Sequence, residues 1–298
     1  MPAATKISNG KKLRNLIASE KCPMIPGGYD AFTMALAETT GYKAGYLGGY
    51  SMAASLTRTP DWGLITMTEM IHQVMNAVNA VNIPIITDID QGFGALSNFV
   101  RTIHAYENSG AAAVHFEDQP FPKKCSLMPG RTVISVEENV KKIEAAVETR
   151  EDPDFVLIAR TDAQMPEGLD GILRRMDAYL NAGADFTIYC EHESEKDVET
   201  VGTKFPGRVI IFAGDAPGNA AWYLPAATYR EMGYAAIIYC ASAFSAAHKA
   251  VKNLFVEMQQ QGGLSMECHK KHCYTVNDNN DVSKIKAWQA LRDKYNML

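Results

Sequence analysis

Residues 84–131 read PIITDIDQGFGALSNFVRTIHAYENSGAAAVHFEDQPFPKKCSLMPGR, and this stretch decides the fold. Ile85–Ile89 and Ala111–Phe116 are short apolar runs rich in β-branched residues, separated by a stretch of helical length at 97–109. Each reads as a buried parallel strand, and the stretch between them as the crossover helix. Both runs end in acid: Asp88 and Asp90 close the first, Glu117 and Asp118 the second. Adjacent parallel strands bring these carboxylates to one rim, where they repel unless a cation lies among them. Hard oxygen ligands with open positions suit Mg²⁺ or Mn²⁺. A single Asp at a strand end caps a helix or pairs with Lys or Arg; here the grouping, with no Lys or Arg in either run, favours a metal. Gly92 and Gly94 permit the tight turn that follows. Lys123, Lys124 and Cys125 then come in a loop with Pro120, Pro122, Pro129 and Gly130. A thiol beside two ammonium groups is expected to have a lowered pKa and to act as an acid/base, with Lys123 either assisting or an ordinary surface lysine.

Working outward, strand-like and helix-like runs alternate. A helix at 10–20 precedes a strand at Met24–Gly28, a helix at 30–40 that Asp30 can cap, and a strand at Ala44–Gly49. A polar connection at 50–66 carries Asp61, and a helix at 68–81 leads into the central stretch. Beyond it come a helix from Ser135 to about Arg150, with Glu138 placed for a capping box, and a strand at Phe155–Arg160. A helix at 169–182, a strand at Asp185–Cys190 ending at Glu191 and a helix at 194–204 follow. A strand at Val209–Ala213, a helix at 225–232 and a strand at Ala235–Cys240 complete the series. Eight such units predict an α/β protein with a closed (β/α)8 TIM barrel, in which polar residues at strand C-termini are site candidates. Residues 1–244 are expected to form the barrel. Residues 245–298, helical to about Gln261, broken at Gly262–Gly263 and helical again from about Val282, form an extension that packs on the barrel or on a neighbouring subunit.

Arg160 ends an otherwise apolar strand, and burying a guanidinium costs several kcal/mol unless it is paired. Its partner is a substrate carboxylate or phosphonate held in bidentate fashion, or else Asp162 or Glu191 in a structural pair. His115 is either a site residue or a satisfied interior histidine. The run Cys268–Cys273 (CHKKHC) is too tightly spaced for the usual structural zinc site and reads as a solvated tail. Gly28–Phe32, Trp62 and Trp222 read as packing. The 298 residues are 47% hydrophobic with a net charge of −5, a mild and dispersed acidity that argues against nucleic-acid or anionic-membrane partners. No apolar run approaches the roughly 18 residues of a membrane span, and the N-terminus lacks the apolar core of a secretory signal. Six cysteines in so long a chain do not make a disulfide framework, so a reducing cytoplasm is expected.

YLGG at 46–49, Pro60-Asp61, DIDQGFG at 88–94, HFEDQ at 115–119, KKC at 123–125, DPDFVLIARTDA at 152–163 and SAF at 242–244 together resemble the isocitrate lyase and phosphoenolpyruvate mutase superfamily. The likeness spans nearly the whole chain and leans towards lyases of the methylisocitrate and dimethylmalate type. It implies a Mg²⁺-dependent enzyme acting on small 2-oxo or 2-hydroxy acids through an enolate. It further implies a metal held directly by Asp90 and through water by Asp88 and Glu117. Tyr46, Gly48, Gly49 and Arg160 would hold the α-keto acid end, His115 would join the substrate residues, and Asp61 would lie near the metal. A homotetramer that exchanges a C-terminal helix is also implied. In the gating loop Cys125 is similar to the lyase general acid, whereas Ser126-Leu127 is mutase-like. Gly48 replaces a lyase serine, and the asparagine of the lyases after strand seven is matched by Gly214, Asp215 or Asn219. These departures disfavour a tricarboxylate. The expectation is a carbon–carbon lyase that cleaves a substituted malate or similar 2-hydroxy dicarboxylate to pyruvate, or a related 2-oxo acid, plus a carboxylic acid. Cys125 is the proton donor and Glu191 orients substrate, with the base left between Tyr46 and a water ionised by the metal. Trp62, Tyr189, Phe212 and Trp222 would shape the pocket. Phosphonopyruvate mutase or hydrolase chemistry, or oxaloacetate decarboxylation, is the alternative. A non-catalytic binding protein is disfavoured by the intact acids and Arg160.

Overall fold

The computed structural model describes residues 7–126, 128–214 and 219–296. In chain order the elements are α1 (Asn9–Glu20), β1 (Met24–Gly28), α2 (Ala31–Thr39), β2 (Gly45–Leu47), α3 (Gly49–Thr57), α4 (Met67–Ala80), β3 (Ile85–Asp88), α5 (Leu96–Asn108), β4 (Ala113–Glu117), α6 (Val136–Thr149) and β5 (Val156–Thr161). They continue with α7 (Gln164–Asn181), β6 (Phe186–Tyr189), α8 (Glu195–Lys204), β7 (Ile210–Phe212), a 3₁₀ turn at Ala220–Trp222, α9 (Ala226–Glu231), β8 (Ala236–Tyr239), α10 (Ser242–Gln261), α11 (Met266–His272), α12 (Val276–Val282) and α13 (Ile285–Tyr295).

The eight strands are parallel and ordered β6-β5-β4-β3-β2-β1-β8-β7. The remaining seam, β6 to β7, is bridged at Thr187 and Val209, so the sheet closes into the expected barrel. The pleat sorts each strand's residues between two environments. Ile86, Ala113, Ile158, Ile188, Ile210 and Ile238 fill the barrel interior with Tyr46 and Phe212. Val114, Phe116, Leu157 and Ala159 face outward, against Phe99, Ile103, Ile143 and Tyr179 of the surrounding helices. Following the inward set towards the strand C-termini, the apolar side chains give way to Asp88, His115, Glu117 and Arg160, all 6% exposed or less. Charge thus collects at the mouth because the pleat leaves those positions no other place.

Residues 50–66, expected as a polar connection, instead begin with α3. Gly48 stands at its N-cap, and Ser51, Met52 and Ala53 are buried against the barrel. The small side chains of GYSMAASLT allow that close packing, which a polarity count misses. The helix expected at 68–81 is α4, which Thr66 opens in a reciprocal capping box with Glu69. The helix expected at 169–182 starts earlier, at Gln164, with a break at Gly168. The tail is helical through α11 and α12, where a polar break was expected, and α10 runs across residue 244. α10, α12 and α13 bury none of their residues. Val251, Phe255, Trp288, Leu291 and Tyr295 are all exposed.

Candidate active site

Asp88, at the end of β3, accepts from the Gly49 N–H at 3.1 Å and the Asp90 N–H at 3.0 Å. Asp90 lies just beyond, at φ 50°, a left-handed conformation that Asp and Asn tolerate better than most residues. Its carbonyl accepts from the Glu117 N–H at 3.0 Å, tying the two strand ends together. Gly92 takes φ 90°, and a Cβ there would fall 2.2 Å from the Phe99 ring, so the turn needs glycine on both counts.

Asp118 does not join the others. It follows Glu117 directly, and the pleat sends it to the opposite side of β4. There it accepts from the Asp162 N–H (2.9 Å), Tyr179 Oη (2.7 Å) and Arg175 (3.2 Å). The four-carboxylate rim is therefore a three-carboxylate set, Asp88, Asp90 and Glu117, with Asp118 tying β4 and β5 to α7. Asp118→Ala would take the acceptor from the buried Tyr179 hydroxyl and the Asp162 N–H and leave Arg175 with Glu167 as its remaining carboxylate. Its expected cost is about 3 kcal/mol, a fall in Tm of very roughly 6 °C by circular dichroism, with divalent-ion affinity unchanged.

Asp61, after α3, lies beside the set, and Lys123 reaches in from the loop after β4. The Lys123 Nζ is 2.5 Å from Asp61 and 2.9 Å from Asp90 and is 2% exposed, so it is no surface lysine. Burial opposes its charge, but Asp90, Glu117 and Asp61 hold its pKa well above the ordinary value. Glu117 is fully buried, and neither of its carboxylate oxygens accepts a hydrogen bond among the described residues; Arg160 faces one at 3.1 Å. Burial pushes Glu117 well above the usual carboxylate range despite Arg160 and Lys123. Burial, then Asp88 and Asp61, raise Asp90 to about 6 against the pull of Lys123. Burial also works against Asp88, but His115, Lys123 and Arg160 outweigh it and hold that carboxyl well below its ordinary range. Both Glu117 oxygens and one Asp90 oxygen, buried without a hydrogen bond among the described residues, are donors of the kind that a hard divalent cation takes. Gly49 completes the cradle: a Cβ there would stand 2.9 Å from one Asp88 oxygen and 3.1 Å from Asp90. Gly49→Ala is expected to weaken Mg²⁺ binding at least tenfold in a calorimetric titration while the protein stays folded.

The loop is folded over the barrel mouth. The Gln119 side chain donates to the Lys124 carbonyl (2.8 Å) and accepts from the Lys124 N–H (2.9 Å). Lys124 Nζ turns back to the Gly130 carbonyl at 2.9 Å, and Arg131 pairs with Glu191. Both lysine ammonium groups next to Cys125 in sequence are thus engaged at other oxygens. Cys125 and Ser126 border a cavity of about 460 Å³ together with Tyr46, Asp61, Asp88 and Arg160. Its far wall is Phe212, Trp222 and Tyr223, and Cys190, Gly214, Cys240 and Ser242 lie along it.

Arg160 pairs with Asp162 through two hydrogen bonds of 2.8 and 3.0 Å, so the structural pairing engages two of its five N–H groups, while Glu117 lies 3.1 Å away as an ion pair. His115 stands behind the cavity wall, fully buried, with Nδ1 3.3 Å from Asp88 and 3.4 Å from Tyr46 Oη. Gly48 closes the turn into α3, with Tyr46 and Cys240 Sγ nearest to it. Glu191 lies apart, lining a neighbouring cleft with His192, Asn219 and Trp222. Asn219 donates to the His192 carbonyl at 2.6 Å, Gly214 borders the main cavity, and Asp215 lies outside the described residues. Of the expected pocket aromatics, Phe212 and Trp222 line the cavity whereas Trp62 and Tyr189 do not. Cys190 and Cys240 escaped notice in the sequence, although each directly follows a strand at the barrel mouth.

The chain matches the phosphoenolpyruvate phosphomutase family over residues 13–259. It is 38% identical over 253 residues to the 2,3-dimethylmalate lyase of Eubacterium barkeri, covering 85% of this chain and 87% of that one. It is 32% identical over 292 residues to the 2-methylisocitrate lyase of Shewanella oneidensis, covering 98% and 97%. A solved phosphonopyruvate hydrolase in complex with oxalate and Mg²⁺ superposes with a TM-score of 0.85 at 26% identity, covering 97% of this chain and 99% of that one. Relatives named as lyases support a carbon–carbon lyase. Among the described residues no helix is long and apolar enough to cross a membrane.

Proposed function

The chain belongs to the phosphoenolpyruvate phosphomutase family, and from that premise we propose that it is a Mg²⁺-dependent lyase that cleaves a substituted malate or similar small 2-hydroxy dicarboxylate to pyruvate, or a related 2-oxo acid, and a carboxylic acid. The observation that carries the reading is the meeting of Cys125 with Asp88 and Arg160 around one cavity under a folded loop. Asp90, Asp88 and Glu117 would hold the ion. When bound, it supplies Lewis-acid stabilisation of the substrate oxygens at C1 and C2.

The residues of the chain do the rest. Arg160, with N–H groups left over beyond the Asp162 fork, takes a substrate carboxylate while Asp162 keeps the guanidinium in place. Burial, then Asp88 and Cys240, hold the Tyr46 phenol protonated far above its ordinary pKa. Tyr46 therefore donates a hydrogen bond to the substrate, and the 2-hydroxyl proton would pass to a water held within the closed cavity. As the C2–C3 bond breaks, C2 becomes a carbonyl and the electron pair passes to the carbon α to the departing carboxyl. Cys125 gives that carbon its proton, with the folded loop excluding water. Lys123, by binding Asp61 and Asp90, holds the loop down so that the thiol reaches its place. Phe212, Trp222 and Gly214 offer little polarity to a third carboxylate, which favours a dicarboxylate.

Screening 2-hydroxy dicarboxylates and phosphonopyruvate with Mg²⁺, read as pyruvate formed, tests the proposal. Release of pyruvate from a substituted malate supports it; turnover of phosphonopyruvate alone refutes it. The exposed apolar residues of α10 and α13 fit helix exchange within a homotetramer. Light scattering should then give four times the 32.7 kDa chain mass, and a monomer would refute that assembly.

A further inference from the structure

The tail carries a second cluster of ligand-type side chains, on elements that the barrel site does not use. Gly262 takes φ 71° at the end of α10 and turns the chain, and Ser265 caps α11 by accepting from the Cys268 N–H at 3.1 Å. The reversal lays α11 back on α10. Cys268 and His272, four residues apart on one face of α11, then meet Glu257 of α10. One ligand atom from each lies within 4.8 Å of the others. The run expected to be a solvated tail is therefore half of a cluster whose third member lies eleven positions upstream. Cys268 is 1% exposed and is the one buried residue of α10–α13.

We propose that Glu257, Cys268 and His272 bind a Zn²⁺ ion that pins α11 to α10, with the fourth position open to solvent. A thiolate, an imidazole and a carboxylate form the mixed donor set that Zn²⁺ accepts in four-coordinate geometry, and the sulfur disfavours Mg²⁺ and Ca²⁺. Glu257 already gathers two neighbouring nitrogens. One of its oxygens lies 2.6 Å from Lys271 Nζ and 2.9 Å from His272 Nε2. The Lys271 side chain is 62% exposed, so it swings into water when the ion takes its place. Cys268 releases its thiol proton on binding.

Titration of the untagged full-length chain with Co²⁺, in excess Mg²⁺ to fill the barrel site, provides the test. The expected result is one equivalent of Co²⁺ with a thiolate-to-cobalt charge-transfer band and the visible absorption of a four-coordinate ion, both discharged by one equivalent of Zn²⁺. The band should persist in Cys125→Ser and vanish in Cys268→Ser. His272→Ala and Glu257→Gln, both off the buried core, should bind Zn²⁺ at least about 100-fold more weakly, since losing a ligand costs no less than losing its supporting hydrogen bond. Absence of the band from the native chain, its survival in Cys268→Ser, or unchanged Zn²⁺ affinity in the His272 and Glu257 variants overturns the proposal.

Discussion

Replacing Cys125 with Ala is expected to lower carbon–carbon cleavage about 10³-fold while leaving the protein folded and its Mg²⁺ affinity unchanged. General acids contribute roughly 10²–10⁴-fold to rate, and in a cavity roofed by its own loop no bulk water stands ready to replace the thiol. Cys125 lines the cavity from the loop and is not one of the side chains that fill the barrel, so the loss should fall on kcat rather than on stability. The same variant separates the competing chemistries. Decarboxylation of oxaloacetate leaves an enolate that solvent can protonate after release, so a decarboxylase would keep most of its activity without the thiol. Steady-state rates of the variant on a substituted malate and on oxaloacetate decide the matter. A fall on the first with little change on the second supports lyase chemistry, and near-native cleavage of the malate would remove Cys125 from the mechanism.

Asp90→Asn carries the second large effect. Asn adopts the left-handed conformation at φ 50° as readily as Asp, so the turn into Gly92 should survive and Tm should move little. The charge is what disappears. Lys123 then keeps Asp61 alone as its close partner, and the ion loses the carboxylate expected to bind it directly. Lewis-acid stabilisation is worth several kcal/mol, and each 1.4 kcal/mol is tenfold in rate, so kcat/KM should drop about 10³-fold. Asp118→Ala should behave in the opposite way, with lowered Tm and intact metal affinity. If both variants lost stability alike and kept their activity, the division of the acids into a metal set and a packing set would be wrong.

That division marks the limit of what the sequence made legible. The alternation of short β-branched runs with helical stretches was enough for the barrel, and the acids at the ends of β3 and β4 were enough to point to its mouth. The position of Asp118 depends on where β4 stops, one residue before it, and strand ends are the part of a pattern that periodicity defines least. Lys123 was ambiguous for a different reason. Loop residues are positioned by long-range partners, here Asp61 and Asp90, which lie 62 and 33 positions away in the chain. Arg160 was correctly read as needing a buried partner, but the sequence pointed first to a substrate acid and only then to Asp162 or Glu191, and the structure uses Asp162 for the fork. α3 escaped because its nine residues were read together with the polar, Pro-containing stretch that follows them, and the tail cluster escaped because Glu257 belongs to another helix.

Calorimetric titration of Mg²⁺ into the native chain and into Asp90→Asn tests the central claim most directly. One ion per chain bound by the native protein, with at least a 100-fold loss of affinity in the variant, is the result that Asp88, Asp90 and Glu117 acting as a cation site predicts. Absence of binding by the native chain, or equal binding by the two, would contradict it.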